Sequence, residues 1–162
     1  MTEEIKTRIV NIIGDMTALT EKYSAATTEI INTDIDETLE DIILRRSGII
    51  DEMGRYRSEI DDLCSDCTQQ ESDLVHRMIR GDRVPLGLSA ELREIHKAAV
   101  KLNSARIAIA DKEKQAAARV DARVKELRVQ LENVNSDRKK TAGYTAAGSG
   151  FGGSGRSFDG RL

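Results

Sequence analysis

The sequence predicts an all-α fold: a long antiparallel helical hairpin joined to a shorter N-terminal helix, followed by a disordered glycine-rich tail. Three observations carry that expectation. Apolar residues recur at helical spacing through most of the first 140 positions, and Pro85 is the sole proline. Aromatics make up only 3% of the 162 residues and tryptophan is absent, so Leu, Ile, Val and Ala must do the packing, as in helical bundles and coiled coils. Seven of the twelve glycines fall after Lys140, which divides the chain into a body of residues 1–140 and a tail of residues 141–162.

The first helix, expected over about 3–32, places Ile5, Ile9, Ile12, Met16, Leu19, Tyr23, Ala26 and Ile30 at intervals of three or four, hence on one face. Asp34 stands three residues before Glu37, the spacing of a capping box, and opens a second helix over about 35–80. Its apolar positions include Leu39, Ile42, Ile49, Met53, Tyr56, Ile60, Leu63, Cys67, Leu74 and Met78. Gly81, Asp82, Pro85 and Gly87 form the strong breaker cluster of the body and read as a turn between antiparallel helices. Ser89 opens a third helix over about 89–140, with a near-heptad stripe from Leu92 through Ile95, Ala99, Leu102, Ile109, Ala116, Val120, Val124, Leu127 and Leu131 to Val134.

Helix lengths then set the architecture. At ~1.5 Å per residue the first helix covers only half of the hairpin made by the other two, near residues 34–61 and 107–134. The other half becomes a two-helix arm with an open apolar seam on Leu63, Leu74, Met78, Leu92 and Ile95. Such a seam suits a partner helix or a second copy of the chain. The alternative is a break near residues 64–70 that folds the second helix back into a compact four-helix bundle.

Charge is divided along the chain. Residues 1–88 hold 19 acidic and 10 basic side chains, and residues 89–140 hold 8 and 13. Opposite charge on segments that pack together favours pairing within the molecule, so the basic third helix does not argue for nucleic acid. No apolar stretch approaches the ~20 residues that span a bilayer, and the acidic start MTEEIK lacks the features of a signal peptide. A cytoplasmic location is expected.

Residues that could carry chemistry are few. Cys64 and Cys67 form a CxxC, the spacing of a redox pair or half of a zinc site, but no second pair completes it. The plainer reading is two small seam residues. His76 and His96 flank the turn and read as surface or seam residues. The glycines of GSGFGGSG follow no strand and open no helix, so they are not a phosphate-binding loop. No catalytic constellation, cofactor or metal site is expected, and the chain reads as a non-enzyme.

Two stretches carry a resemblance. IDETLEDIILRRSGIIDEM, residues 35–53, and LNSARIAIADKEKQ from residue 102 onward, closing on GYTAAG at 143–148, resemble the FlgN-type flagellar export chaperones. The family's asparagine pair is represented by Asn103 followed by Ser104. The resemblance implies a cytoplasmic chaperone that binds hook-associated proteins and delivers them to the export gate, with Tyr144 at the position that contacts the export apparatus. A homo-oligomeric coiled coil, or an adaptor for another secretion machine, is the competing class.

Overall fold

In the computed structural model, residues 1–32 and 36–148 are described, with side chains given except at 36–38 and 140–148. Four helices follow in order: α1 (Glu3–Asn32), α2 (Asp36–Ser65), α3 (Gln69–Arg80) and α4 (Ala90–Gly148). The described residues contain no strand, and the all-α expectation holds. The Asp34 capping box and residues 149–162 of the expected tail lie outside the described residues. The last helix runs to Gly148, beyond the expected end at Lys140.

The expected single helix over 35–80 is two helices. Ser65, Asp66, Cys67 and Thr68 all compete with helical backbone for local hydrogen bonds or pack poorly within it. The Ser65 hydroxyl donates to Asp62 O at 2.6 Å, and Thr68 adopts extended backbone at φ −65°, ψ 151°. Thr68 then caps α3 reciprocally with Glu71. The Glu71 amide donates to Thr68 Oγ1 at 3.3 Å, and the Thr68 amide donates to Glu71 Oε2 at 3.0 Å. The sequence T-Q-Q-E is a full capping box.

This break removes the two-helix arm. With α3 detached, α2 is 30 residues long, the same as α1, so α1 no longer falls short of its antiparallel neighbour. The chain divides into two units, Met1–Arg119 and one beginning at Val120. In the first, side-chain pairs define the directions. Arg8 meets Glu59 and Glu29 meets Arg45, so α1 runs antiparallel to α2. Lys6 meets Glu94, Lys112 meets Ser24 and Thr27 meets Glu113, so α1 runs parallel to α4. His76 faces Asp61, which returns α3 along α2.

The core therefore closes. Ile9, Ile12, Ile13 and Met16 of α1 pack in one cluster with Ile60 and Cys64 of α2, Val75, Met78 and Ile79 of α3, and Leu92, Ile95, Ala99 and Leu102 of α4. Burying each large aliphatic side chain contributes about 1.5–3 kcal/mol. Of the residues expected to form an open seam, Met78 is 2% exposed, Leu92 6% and Ile95 0%, and Leu63 and Leu74 are half-buried against the same cluster. The seam is interior, because α3 and the N-terminal half of α1 cover what an unbroken hairpin would leave bare. The compact bundle replaces the arm.

The far end of α3 is fixed by α4. Gly81 turns the chain at φ +81°, a left-handed conformation that a side chain resists, and the amides of Gly81 and Asp82 donate to Met78 O and Arg77 O. Two α4 side chains complete the cap: Asn103 Nδ2 donates to Met78 O at 2.9 Å and Arg106 Nη1 to Ile79 O at 2.7 Å. A Cβ at position 81 would lie 3.3 Å from the Asn103 carboxamide.

Two stability measurements check this assembly. Thr68→Ala, which removes the α3 cap, lowers unfolding free energy in urea titration by about 1 kcal/mol. Leu102→Ala, at a position with no exposed surface, costs about 2–5 kcal/mol.

Candidate functional site

With the seam buried, the exposed apolar surface of the described residues lies elsewhere. In the unit that begins at Val120, the stripe of Val124, Leu127, Leu131 and Val134 is open to solvent, with exposures of 41%, 42%, 62% and 49%. These residues follow Val120 at steps of 4, 3, 4 and 3, the a/d pattern that lets one helix seat against another in knobs-into-holes packing. Flanking the stripe are Arg123 at a g position and Arg128 at an e position, with Asp121 at an e position and Gln130 at a g position. Arg123 is held by Glu126 one turn on, Nη1 to Oε2 at 2.7 Å. A helical stripe of this kind satisfies all its backbone hydrogen bonds internally and leaves only its side chains to be covered. Its chemistry is docking by another amphipathic helix.

Tyr144, expected as a docking residue, lies within α4, and its side chain is outside the described residues. Periodicity had placed 124–134 on the same apolar stripe as the buried positions of α4. It could not separate the two, because spacing reports which residues share a face and not what lies against that face.

The polar features of the first unit are fixed structure. Arg46 stacks on Tyr23 with its guanidinium carbon 4.5 Å from the ring centroid, donates to the Tyr23 hydroxyl, and reaches both Glu113 oxygens at 2.8 Å. Thr27 adds a bond of 2.9 Å to the same carboxylate. Three helices are thus tied in one register by a charge-assisted network that is partly shielded from water. Lys6, only 8% exposed, is similarly held by Glu3 at 2.5 Å and Glu94 at 2.7 Å. Hydrogen bonds to those two carboxylates raise the Lys6 pKa above its usual value.

At the N-terminus, the Met1 ammonium donates to Glu71 Oε1 at 2.6 Å. That bond, followed by those from Thr68, holds the Glu71 carboxyl below its ordinary range. The same carboxylate therefore serves the α3 cap and ties to it the N-terminal residue, two positions before α1.

The CxxC does not sit in an unbroken helix as expected. Cys64 ends in α2 and Cys67 lies in the break, and both are free thiols. Burial pushes the Cys64 thiol up to about 11, and burial followed by the Glu71 carboxylate raises Cys67 as well. Reactive pairs of this spacing have lowered values at helix N-termini; here burial dominates. Among the described residues no group of three or more His, Cys, Asp or Glu could hold a metal ion, and no helix is long and apolar enough to cross a membrane.

Compared with protein-family models, curated proteins and solved structures, the chain matches none.

Thiol labelling at pH 8 in the folded protein distinguishes the two cysteines. Half-buried Cys67 reacts first, and Cys64 reacts only as the bundle opens, so its rate follows denaturant concentration. Both react more slowly than a free cysteine, since less thiolate is present at that pH.

Proposed function

We propose that this chain works by binding: it takes up an amphipathic helix of a protein partner along the Val124–Val134 stripe of α4. The observation that carries the reading is that stripe, four large aliphatic side chains at heptad spacing and each at least 41% exposed. Leaving such a row in water is costly, and covering it returns about 25 cal/mol per Å² of apolar surface.

The flanking charges favour a foreign helix over a second copy. In a parallel self-pairing, g of one helix faces the following e of the other, which sets Arg123 against Arg128. A partner with acidic residues beside its apolar stripe meets both cations favourably.

The resemblance to FlgN-type chaperones supplies the class of partner. On this reading the chain is a cytoplasmic export chaperone, the partner is a helical terminal segment of a hook-associated protein, and delivery to the export gate runs through Tyr144. The client surface is then the α4 stripe, in place of the seam of Met78, Leu92 and Ile95 that the bundle core consumes. A closed bundle keeps its own fold while the client is bound and released, which suits a carrier.

The test is a binding titration of wild type and the Leu127→Asp, Leu131→Asp double variant against hook-associated proteins, with molar mass by light scattering. The expected result is a complex that the double variant weakens at least thirtyfold, about 2 kcal/mol, with urea stability of the bundle unchanged. A wild-type dimer that the same substitutions dissociate, together with no client binding, gives the stripe to self-association instead. Client binding that survives the double variant rejects the stripe.

A further inference from the structure

A cleft of about 560 Å³ opens where α2, α3 and α4 meet. It is lined by Arg57, Ile60 and Asp61 from α2, His76, Ile79 and Arg80 from α3, Asp82 after it, and Arg106 from α4. That volume falls within the range of small-molecule sites, which combine apolar walls with a few converging polar groups. Here Ile60 and Ile79 supply the apolar wall and three guanidinium groups the polar one.

The charges do not balance. Asp82 is committed to Arg80, Oδ2 to Nε at 2.9 Å. Asp61 faces His76 Nδ1 at 3.6 Å. Arg57 makes no hydrogen bond or ion pair among the described residues. Arg106 spends Nη1 on Ile79 O and on Asn103 Oδ1, at 2.7 and 3.2 Å, while its Nη2 is shielded from solvent with no hydrogen-bond partner. Desolvation by burial, followed by the charge of Arg57, lowers the Arg106 pKa. Two guanidinium groups thus repel each other at one cleft, whose two lining carboxylates, Asp61 and Asp82, face His76 and Arg80. A shielded, unpartnered charged donor is an expensive feature to keep.

We infer that this cleft binds the oxyanion of a small molecule, a phosphate or carboxylate, between Arg57 and Arg106. The guanidinium fork matches the paired oxygens of either group. An anion placed there relieves the Arg57–Arg106 repulsion and gives an acceptor to the unpartnered Nη2 of a side chain that already caps α3. Because Arg106 holds the C-terminus of α3, occupancy steadies the packing of α3 on α4. The inference stands on the Met1–Arg119 unit and is independent of the α4 stripe.

The experiment uses the full chain at constant ionic strength set with chloride. Inorganic phosphate and succinate are titrated separately while melting temperature and backbone amide shifts are recorded. The expected result is a saturable rise in melting temperature with at least one probe, with amide shifts concentrated at residues 57–61, 76–82 and 103–106. Which probe saturates separates phosphate from carboxylate ligands. Arg57→Gln, at an exposed position with no partner to lose, removes the repulsion on Arg106, so melting in chloride does not fall, and it weakens the saturating probe at least tenfold. Lys97→Gln, a surface change outside the cleft, leaves it intact. If neither probe saturates, or if Arg57→Gln binds as well as wild type, the inference is overturned.

Discussion

The reciprocal hydrogen bonds of Thr68 and Glu71 are the constraint on which the rest of the bundle depends. A new helix can start within an amphipathic stretch where its orphan amides find acceptors, and these two side chains supply them at the start of α3. Once the chain stops there, α2 matches α1 in length, α3 returns along α2, and Val75, Met78 and Ile79 enter the core beside Ile9, Ile13 and Met16. The other end of α3 depends on the first in turn. Asn103 and Arg106 can cap its carbonyls only because α3 has come back to lie beside α4.

Much of this was legible in the sequence, at the level of elements. The 3.6-residue period marked α1 and the buried part of α4, and Gly81 and Ser89 bounded the turn, where the structure has a left-handed glycine and a hydroxyl accepting from the Leu92 amide. A break near residues 64–70 stood only as the alternative reading, since Leu63, Leu74 and Met78 keep apolar spacing across it. The signal for the break is T-Q-Q-E, a capping box as readable as the spacing of Asp34 and Glu37. The Tyr23, Arg46 and Glu113 network was not legible at all. Its members lie 23 and 67 residues from each other along the chain, and no local pattern records a meeting of that kind. The cleft residues were equally hidden, since Arg57, His76 and Arg106 belong to three helices.

The polar ties do more for uniqueness than for net stability. A partly shielded ion pair gives back much of its attraction as desolvation. What the Arg46 network does is penalise sliding, since a one-turn shift of α1 or α4 would leave charged groups shielded without partners. Lys6 between Glu3 and Glu94 acts in the same way at the other end of α1. An aliphatic core of Ile, Leu, Met and Val tolerates several registers of similar burial, and these two polar clusters, one near each end of α1, select among them.

The pairing of α1 with α4 also orders events during synthesis. Thr27 meets Glu113 and Ser24 meets Lys112, partners 86 and 88 residues apart. At ribosomal speeds of about 5–20 residues per second, α1 waits on the order of ten seconds before its parallel neighbour exists. Its contacts with α2 come sooner, so the nascent chain passes through a two-helix hairpin whose face of Ile9, Ile13 and Met16 is still uncovered. For that interval the growing polypeptide carries an apolar face open to water, and the arrival of α4 covers it.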